Sequence, residues 1–435
     1  MNTIQSIARI DRQLLVVYAN LSLYAFCYQM QQPVLPATVK NLVVGESSAQ
    51  EWAQLQSWFG IMQLGGGLVS GVLSDKFGSK TLLLLSFFSS ALCYLMQANA
   101  DTMAMLYLSQ VPTIFQHAFM GATAFITDRT DAVTRAHMLG YCSVAYGVGM
   151  LFGPALGGWL GTGHMGSDLS TSAWIAAAGS LLSCLSILLM LDDESKFTPS
   201  SSRDTPKEPF SFNACLKACM QPTVFKLAMI KVAGSLAMSV WHSAFYGGMA
   251  ESDFGISIQQ LGLLTSYLGA LGMITQLSGF VKYTTVNYDD KTINMGVGGI
   301  LAVIFILTPV CAESKGLAIR VFDGTGFGTT TNWATLQFLI LLIPISAAFT
   351  LLRNLSTTQF TKCVGAAQAG TIIGLDMGIG SAVRIVGPLI GGSIVASEGL
   401  FGVAVFCSAM FILMAALSGA FMPEFESDKG VKKKA

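Results

Sequence analysis

The stretch "GVLSDKFGSKTLL", residues 71–83, sets one acid and two lysines between long apolar runs. Gly71 has no side chain and lets another segment approach closely, while Gly78 permits a left-handed backbone. The stretch therefore reads as a short charged connection between two helices: Gly71 ends the first, Asp75 to Gly78 turn the chain, and Lys80 starts the second. The apolar run on each side has about the 20 residues needed to cross hydrocarbon, which puts the turn at a membrane surface.

Outward from this turn the same pattern recurs. Twelve apolar spans are expected, at 14–38, 53–73, 80–98, 104–127, 137–160, 172–191, 224–248, 259–281, 292–310, 334–352, 367–393 and 399–421. The 435 residues are 52% hydrophobic and 11% charged, too little polar surface to cover a water-soluble globule. The fold class is thus an all-α membrane protein of twelve transmembrane helices. The N-terminus lacks a signal-peptide pattern, so the first span reads as a retained helix. Basic residues collect in cytoplasmic loops. With the N-terminus inside, 19 of the 24 Lys and Arg fall on that side. Both termini are expected in the cytoplasm, in a plasma or organelle membrane.

The longest polar stretch, "DDESKFTPSSSRDTPKEPF" (192–210), is rich in Ser, Pro and charge and cannot bury a core. It divides the chain into a six-helix bundle (1–191), a cytoplasmic linker (192–223), a second six-helix bundle (224–422) and a basic tail (423–435). Repetition supports two pseudo-symmetric halves, since "GPALGG" (153–158) lies in the fifth span and "GPLIGG" (387–392) in the eleventh. Small residues at three- and four-residue spacing let helices pack closely in lipid, which assigns packing roles to Gly149, Gly153, Gly157, Gly158, Gly387 and Gly391. Pro154 and Pro388 each remove a backbone donor and kink their helices. The long loop from Cys311 to Trp333 reads as an outer surface connection or a partial lid. Cysteines lie mostly within apolar spans, so no disulfide framework is expected, and Cys215 with Cys219 makes a poor metal site without further ligands.

The opening words resemble the G-x-L-x-D-R-x-G-R-K-x-x-L signature between the second and third helices of the major facilitator superfamily. Gly71, Leu73, Asp75, Gly78, Lys80 and Leu83 match; Lys76 replaces Arg and Ser79 replaces a basic residue. The resemblance implies two six-helix bundles and a cytoplasmic gate in which Asp75 meets the start of the eleventh helix, with Asp128 at the end of the fourth. "GPALGG" resembles the G-P-x-x-G-G motif of drug:proton antiporters. "VPTIFQHAFMGATAFITDRTDAVTRAHMLGYCSVAYGVG" (111–149) resembles the solute carrier 22 member 18 branch, also called organic-cation-transporter-like or tetracycline-transporter-like. Many drug antiporters carry an acid where Tyr24 stands and an Arg near Ser109 and Gln110, so a proton cycle through those two places is not implied.

Ionisable residues inside a membrane are costly and are usually functional or paired. Asp376 and Arg384 lie in the eleventh span, about 12 Å apart along a helix and about 80° around it; Lys231 in the seventh reaches a similar depth and is expected to pair with Asp376. His117 shares a polar stripe with Ser109, Thr113 and Gln116, and His242 one with Ser235, Ser239 and Tyr246, beside Trp241. Histidine suits proton cycling near neutral pH, although each also reads as a hydrogen-bonded packing residue. Asn20, Tyr24, Tyr28, Gln31 and Gln32 form a polar face on the first span, expected to meet water or substrate. Aromatics and amides with few charges suit an amphipathic organic molecule or weak cation.

No glycine loop of the nucleotide-binding type and no nucleophile–base set is legible, so neither an ATP-driven pump nor an enzyme is expected, and no cofactor, metal or nucleic acid is called for. The expected function is secondary transport of small organic compounds, organic cations or amphipathic molecules, by alternating access, with antiport against protons as the expected mechanism. A facilitated uniporter or a non-transporting sensor or scaffold are the alternatives. The expected partners are the substrate, protons and the bilayer, with the protein acting as a monomer.

Overall fold

The structure, a computed structural model, describes residues 12–43, 48–130, 132–163, 166, 168–191, 221–314, 318–320, 330–362 and 369–423. The linker from 192 to 220, Cys215, Cys219 and the tail beyond 423 lie outside the described residues. The first segment is α1 (Arg12–Met30) and α2 (Val34–Leu42), followed by α3 (Ser48–Phe77) and α4 (Ser79–Ala98). The fourth span is α5 (Met103–Ser109), a 3-10 turn (Val111–Phe115) and α6 (Ala118–Arg129); α7 (Ala132–Leu160) and α8 (Leu169–Met190) follow. Then come α9 (Pro222–Ala244), a π turn (Phe245–Met249), α10 (Ala250–Ser252), α11 (Ile258–Leu277), α12 (Phe280–Asn287) and α13 (Asp290–Glu313). A two-stranded antiparallel ladder, β1 (Ala318–Arg320) with β2 (Thr330–Asn332), precedes α14 (Trp333–Lys362) and α15 (Ala369–Phe421).

Among the described residues seven helices are long and apolar enough to cross a membrane, and α11 with α12, bent by 52°, makes an eighth. The shortfall from twelve has local causes. The eleventh and twelfth spans run together as α15, interrupted only at Gly399, where φ is 60°. The first and fourth spans are broken by Gln31–Pro33 and by the 3-10 turn, and the second, α3, is long enough at 30 residues but too rich in polar residues and glycine to count. The opening turn is also tighter than expected: α3 runs through Asp75 to Phe77, and Gly78 alone, at φ 84°, reverses the chain. The tenth span, expected to end at 352, continues to Lys362.

The chain packs as two units. One is Met1–Leu42, Ile61–Lys207 and Ile258–Ala270; the other is Val43–Gly60, Glu208–Ser257 and Leu271–Ala435. In the first unit Leu21, Leu83, Phe87, Ala122, Phe125 and Ile187 form a buried core. In the second an aromatic core runs through Trp241, Phe245, Phe305, Phe338 and Phe411, with ring centroids 5.0 Å apart for Trp241–Phe305 and 5.5 Å for Phe305–Phe411. Lys362 at the end of α14 pairs with buried Asp290 at the start of α13, at 2.8 Å.

The two glycine words occupy matching places. A Cβ on Gly157 would lie 2.0 Å from the Met30 carbonyl oxygen and one on Gly153 2.6 Å from that of Phe26, so α7 packs backbone on backbone against α1. Gly158 meets Ile258 on α11 in the same way, at 2.7 Å. In the second unit Gly387 and Gly391 of α15 face Ser239 and the Val240 carbonyl of α9, and Gly392 faces Ala53 of α3. Gly149 also abuts α1, at Phe26 and Ala25. Beside Pro154, which has no N–H, the Ala155 N–H donates to Ser266 Oγ at 3.0 Å.

Gly157→Ala should therefore destabilise the protein by about 1–3 kcal/mol through overpacking. Gly296→Ala, on α13 with nothing within 4 Å of the new methyl, should leave thermal unfolding of the purified protein unchanged or slightly raised.

Candidate functional site

In the first unit the polar groups gather where the fourth span breaks. Pro112 has no N–H, and the chain from Gln110 to Gln116 makes 3-10 bonds, Thr113 N–H to Gln110 carbonyl at 3.1 Å and Gln116 N–H to Thr113 carbonyl at 2.9 Å. A broken helix in lipid needs its freed backbone groups satisfied by neighbours. Gln63 Nε2 donates to the Thr113 carbonyl at 2.9 Å, Tyr24 OH to the Gln116 carbonyl at 3.4 Å, and the His117 N–H donates to Ser86 Oγ at 3.3 Å. Gln116 Nε2 in turn donates to Tyr94 OH at 3.2 Å.

Helix α3 passes close to this break. A Cβ on Gly66 would lie 1.8 Å from the Ile114 carbonyl oxygen and 2.7 Å from His117 Nε2, while one on neighbouring Gly65 would meet nothing within 4 Å. His117 Nε2 is buried and makes no hydrogen bond among the described residues. The polar face of the first span is split. Tyr24 is buried, stacked on Tyr28 at 6.4 Å and tilted against Phe87. Asn20, expected to meet water, is instead buried against α8, donating to Ser186 Oγ at 3.0 Å and to its own helix at Val16. Gln31 is buried in the break after α1 and accepts from the Ser172 hydroxyl at 3.3 Å; its Nε2 has no partner among the described residues. Gln32 is half-buried.

In the second unit Lys231 of α9 and Asp376 of α15 form an ion pair, with side chains 14% and 8% exposed. Lys231 Nζ also donates to the Asp376 carbonyl at 2.8 Å and lies 5.8 Å from the Phe360 ring, and Ser356 Oγ donates to Asp376 Oδ1 at 3.2 Å. Ser356 and Phe360 escape the sequence reading because "RNLSTTQ" (353–359) looks like a loop. The helix continues through those polar residues and carries both side chains to the pair. Trp241 is buried in the aromatic core, whereas His242 and Arg384 are exposed. The His242 ring lies 4.6 Å from that of Tyr246.

At the opening turn the surroundings of Gly71 and the side chain of Asp75 lie outside the described residues. Lys80 Nζ donates to the Leu191 carbonyl at 2.7 Å, capping α8. Asp128 is exposed at the end of α6, beside Arg129, whose guanidinium lies 3.6 Å over the Phe125 ring. No group of three or more potential metal ligands occurs among the described residues.

With this geometry in view, the family model described as Major Facilitator Superfamily matches residues 17–375. The chain belongs to the major facilitator superfamily. It is 25% identical over 400 residues to solute carrier family 22 member 18 of Mus musculus, covering 90% of this chain and 92% of that protein. It is likewise 25% identical over 391 residues to the class C tetracycline resistance protein of Escherichia coli, covering 87% and 89%. Its fold matches the crystal structure of the nucleoside transporter NupG at TM-score 0.67 and 15% identity, over 95% of this chain and 100% of that one. The crystal structure of the human organic anion transporter MFSD10 (TETRAN) matches at TM-score 0.63 and 18% identity, over 94% and 99%. The protein is thus a multi-pass integral membrane transporter of the major facilitator fold.

Removing one partner of a buried ion pair strands the other charge, at a cost of about 3–5 kcal/mol, whereas replacing both with apolar residues is often near neutral. Lys231→Met alone should therefore lower the melting temperature sharply. The double variant Lys231→Met with Asp376→Leu should recover most of the loss in the same assay.

Proposed function

We propose that this major facilitator protein is a secondary transporter that moves small amphipathic organic compounds by alternating access and exchanges them against protons. The observation that carries the reading is the buried Lys231–Asp376 pair, held by Ser356 between membrane helices. A carboxylate in that setting has two stable states. Ionised, it ties α9 to α15 through Lys231; protonated, it loses most of its attraction for the ammonium and frees the contact. A proton at Asp376 is then exchanged for a change in how these helices pack, which is the elementary step coupling needs. His117 and His242 are secondary proton sites in this scheme.

The relatives support the substrate class. A class C tetracycline resistance protein and multidrug resistance protein 1 of Bacillus subtilis both carry organic compounds in their names. Tyr28 and Gln32, the half-buried members of the polar face on the first span, suit an aromatic or amphipathic molecule. The charge bias of the loops favours both termini in the cytoplasm, and the repeated glycine words favour two six-helix halves. Tyr24 and Ser109, standing where many drug antiporters carry charge, favour facilitated uniport as the second reading.

Flux from proteoliposomes under an imposed pH gradient separates the readings, measured over a panel of aromatic amines, carboxylates and neutral amides. An antiporter follows the gradient, a uniporter ignores it, and a scaffold moves nothing. Asp376→Asn should cut gradient-driven flux about 10-fold or more, the scale set by losing a charge-assisted contact. Undiminished flux in that variant would exclude Asp376 as the coupling site.

A further inference from the structure

Among the described residues of the second unit, Arg384 is a cation within a membrane-spanning stretch that no carboxylate compensates. Lys231 is neutralised by Asp376. Arg384, eight residues further along α15, makes no ion pair among the described residues, and it is exposed while its neighbours Val383, Gly387 and Pro388 are buried. On its own helix the nearest carboxylates are Asp376, already paired, about 12 Å away along the axis, and Glu398, about 21 Å away. Among the described residues, the elements packed against it offer none closer. On α9, Ser239 Oγ donates to the Val383 carbonyl at 3.3 Å, and the Ser239 side chain fills the space that Gly387 leaves open, so this helix runs directly alongside. Its side chains at that level are Ser235, Ser239, His242 and Tyr246. On α3, Gly60 lies against the Arg384 backbone carbonyl, with a Cβ placed 3.1 Å from it; Glu51, nine residues earlier, is about 14 Å off along that helix.

His242 is the group nearest in chemistry. It is exposed like Arg384, and the guanidinium acts on it electrostatically. The chain of α9 widens into the π turn three residues later, with Gly248 at φ 145°. Such turns recur at functional sites, and interrupted helices are where transporters of several folds place their substrates. Exposed at mid-span, Arg384 would be expensive against lipid and so belongs on a polar, accessible surface.

Resting on the transport reading above, we propose that Arg384 and His242 seat the carboxylate of the transported compound, so that the substrate is an organic anion with an aromatic or apolar body. The planar guanidinium offers two parallel N–H donors that match a carboxylate, and His242 supplies a further donor from the adjacent helix. Met377, exposed two turns before Arg384 on the same face of α15, gives the apolar body a surface. An organic cation, expected from the sequence, meets only like charge here.

The test uses the full-length purified protein with three probes on one skeleton: 2-naphthoate, 2-naphthylmethylamine and 2-naphthamide, with benzoate and decanoate as further carboxylates. Thermal shift reads binding and proteoliposome flux reads transport. The carboxylates should stabilise the wild type and the ammonium should not. Arg384→Gln should weaken 2-naphthoate by about 10- to 100-fold, the loss expected for hydrogen bonds to a charged group. Arg384→Lys should fall between that variant and wild type, because it keeps the charge without the fork, and His242→Gln should cost less. Lys282→Gln, an exposed cation on α12, should bind as wild type does. If Arg384→Gln fails to fold, Arg384→Lys and His242→Gln decide. The proposal is overturned if the ammonium binds as tightly as 2-naphthoate, if no carboxylate stabilises the wild type, or if the Arg384 and His242 variants bind 2-naphthoate unchanged. Binding of 2-naphthoate without flux in any direction would leave this seat standing and reject the transport reading instead.

Discussion

A carbonyl or N–H released from a helix inside hydrocarbon must find another partner, and this requirement governs where the chain can bend. At Pro112 the fourth span gives up its regular bonding, and three side chains from other segments take up the freed groups: Gln63 at Thr113, Tyr24 at Gln116 and Ser86 at the N–H of His117. Beside Pro154 a single serine, Ser266, accepts the Ala155 N–H. The polar residues that look from the sequence like a substrate surface are in large part these repairs. Their first task is to make an irregular backbone tolerable, and only what remains unsatisfied or exposed is left over for a ligand.

That distinction explains which parts were legible in the sequence. Apolar length and the bias of basic residues lead to a polytopic helical protein without reference to any contact, because both follow from the bilayer. Depth within a span was enough to bring Lys231 and Asp376 together as candidates, since few ionisable residues exist there to choose among. Direction around a helix was harder. Asn20 shares a stripe with Tyr24, yet it turns into α8, and Trp241 next to His242 lies in the aromatic core. Helix ends were hardest: the polar run at 353–359 looks like a connection, and only the extended α14 shows that Ser356 reaches Asp376.

The glycine words show a similar economy. In each, glycines spaced by three or four meet a neighbouring helix at close range, and the partners are α1 and α11 for α7 and α9 and α3 for α15. Close approach lets dispersion and weak C–H contacts replace the hydrophobic drive that is missing between helices in lipid. It also fixes the register of α9 against α15, on which both the Lys231–Asp376 pair and the juxtaposition of Ser239 with Val383 depend.

Gly65 and Gly66 carry a lesson of a different kind. They are the same letter at adjacent positions, in one helix, yet one faces open space and the other faces the Ile114 carbonyl at a distance no side chain can share. A catalogue of inherited or laboratory variants graded by residue type would score them alike. Graded by direction, the first is silent and the second is a lesion, and a protein this rich in glycine will hold many such unequal twins.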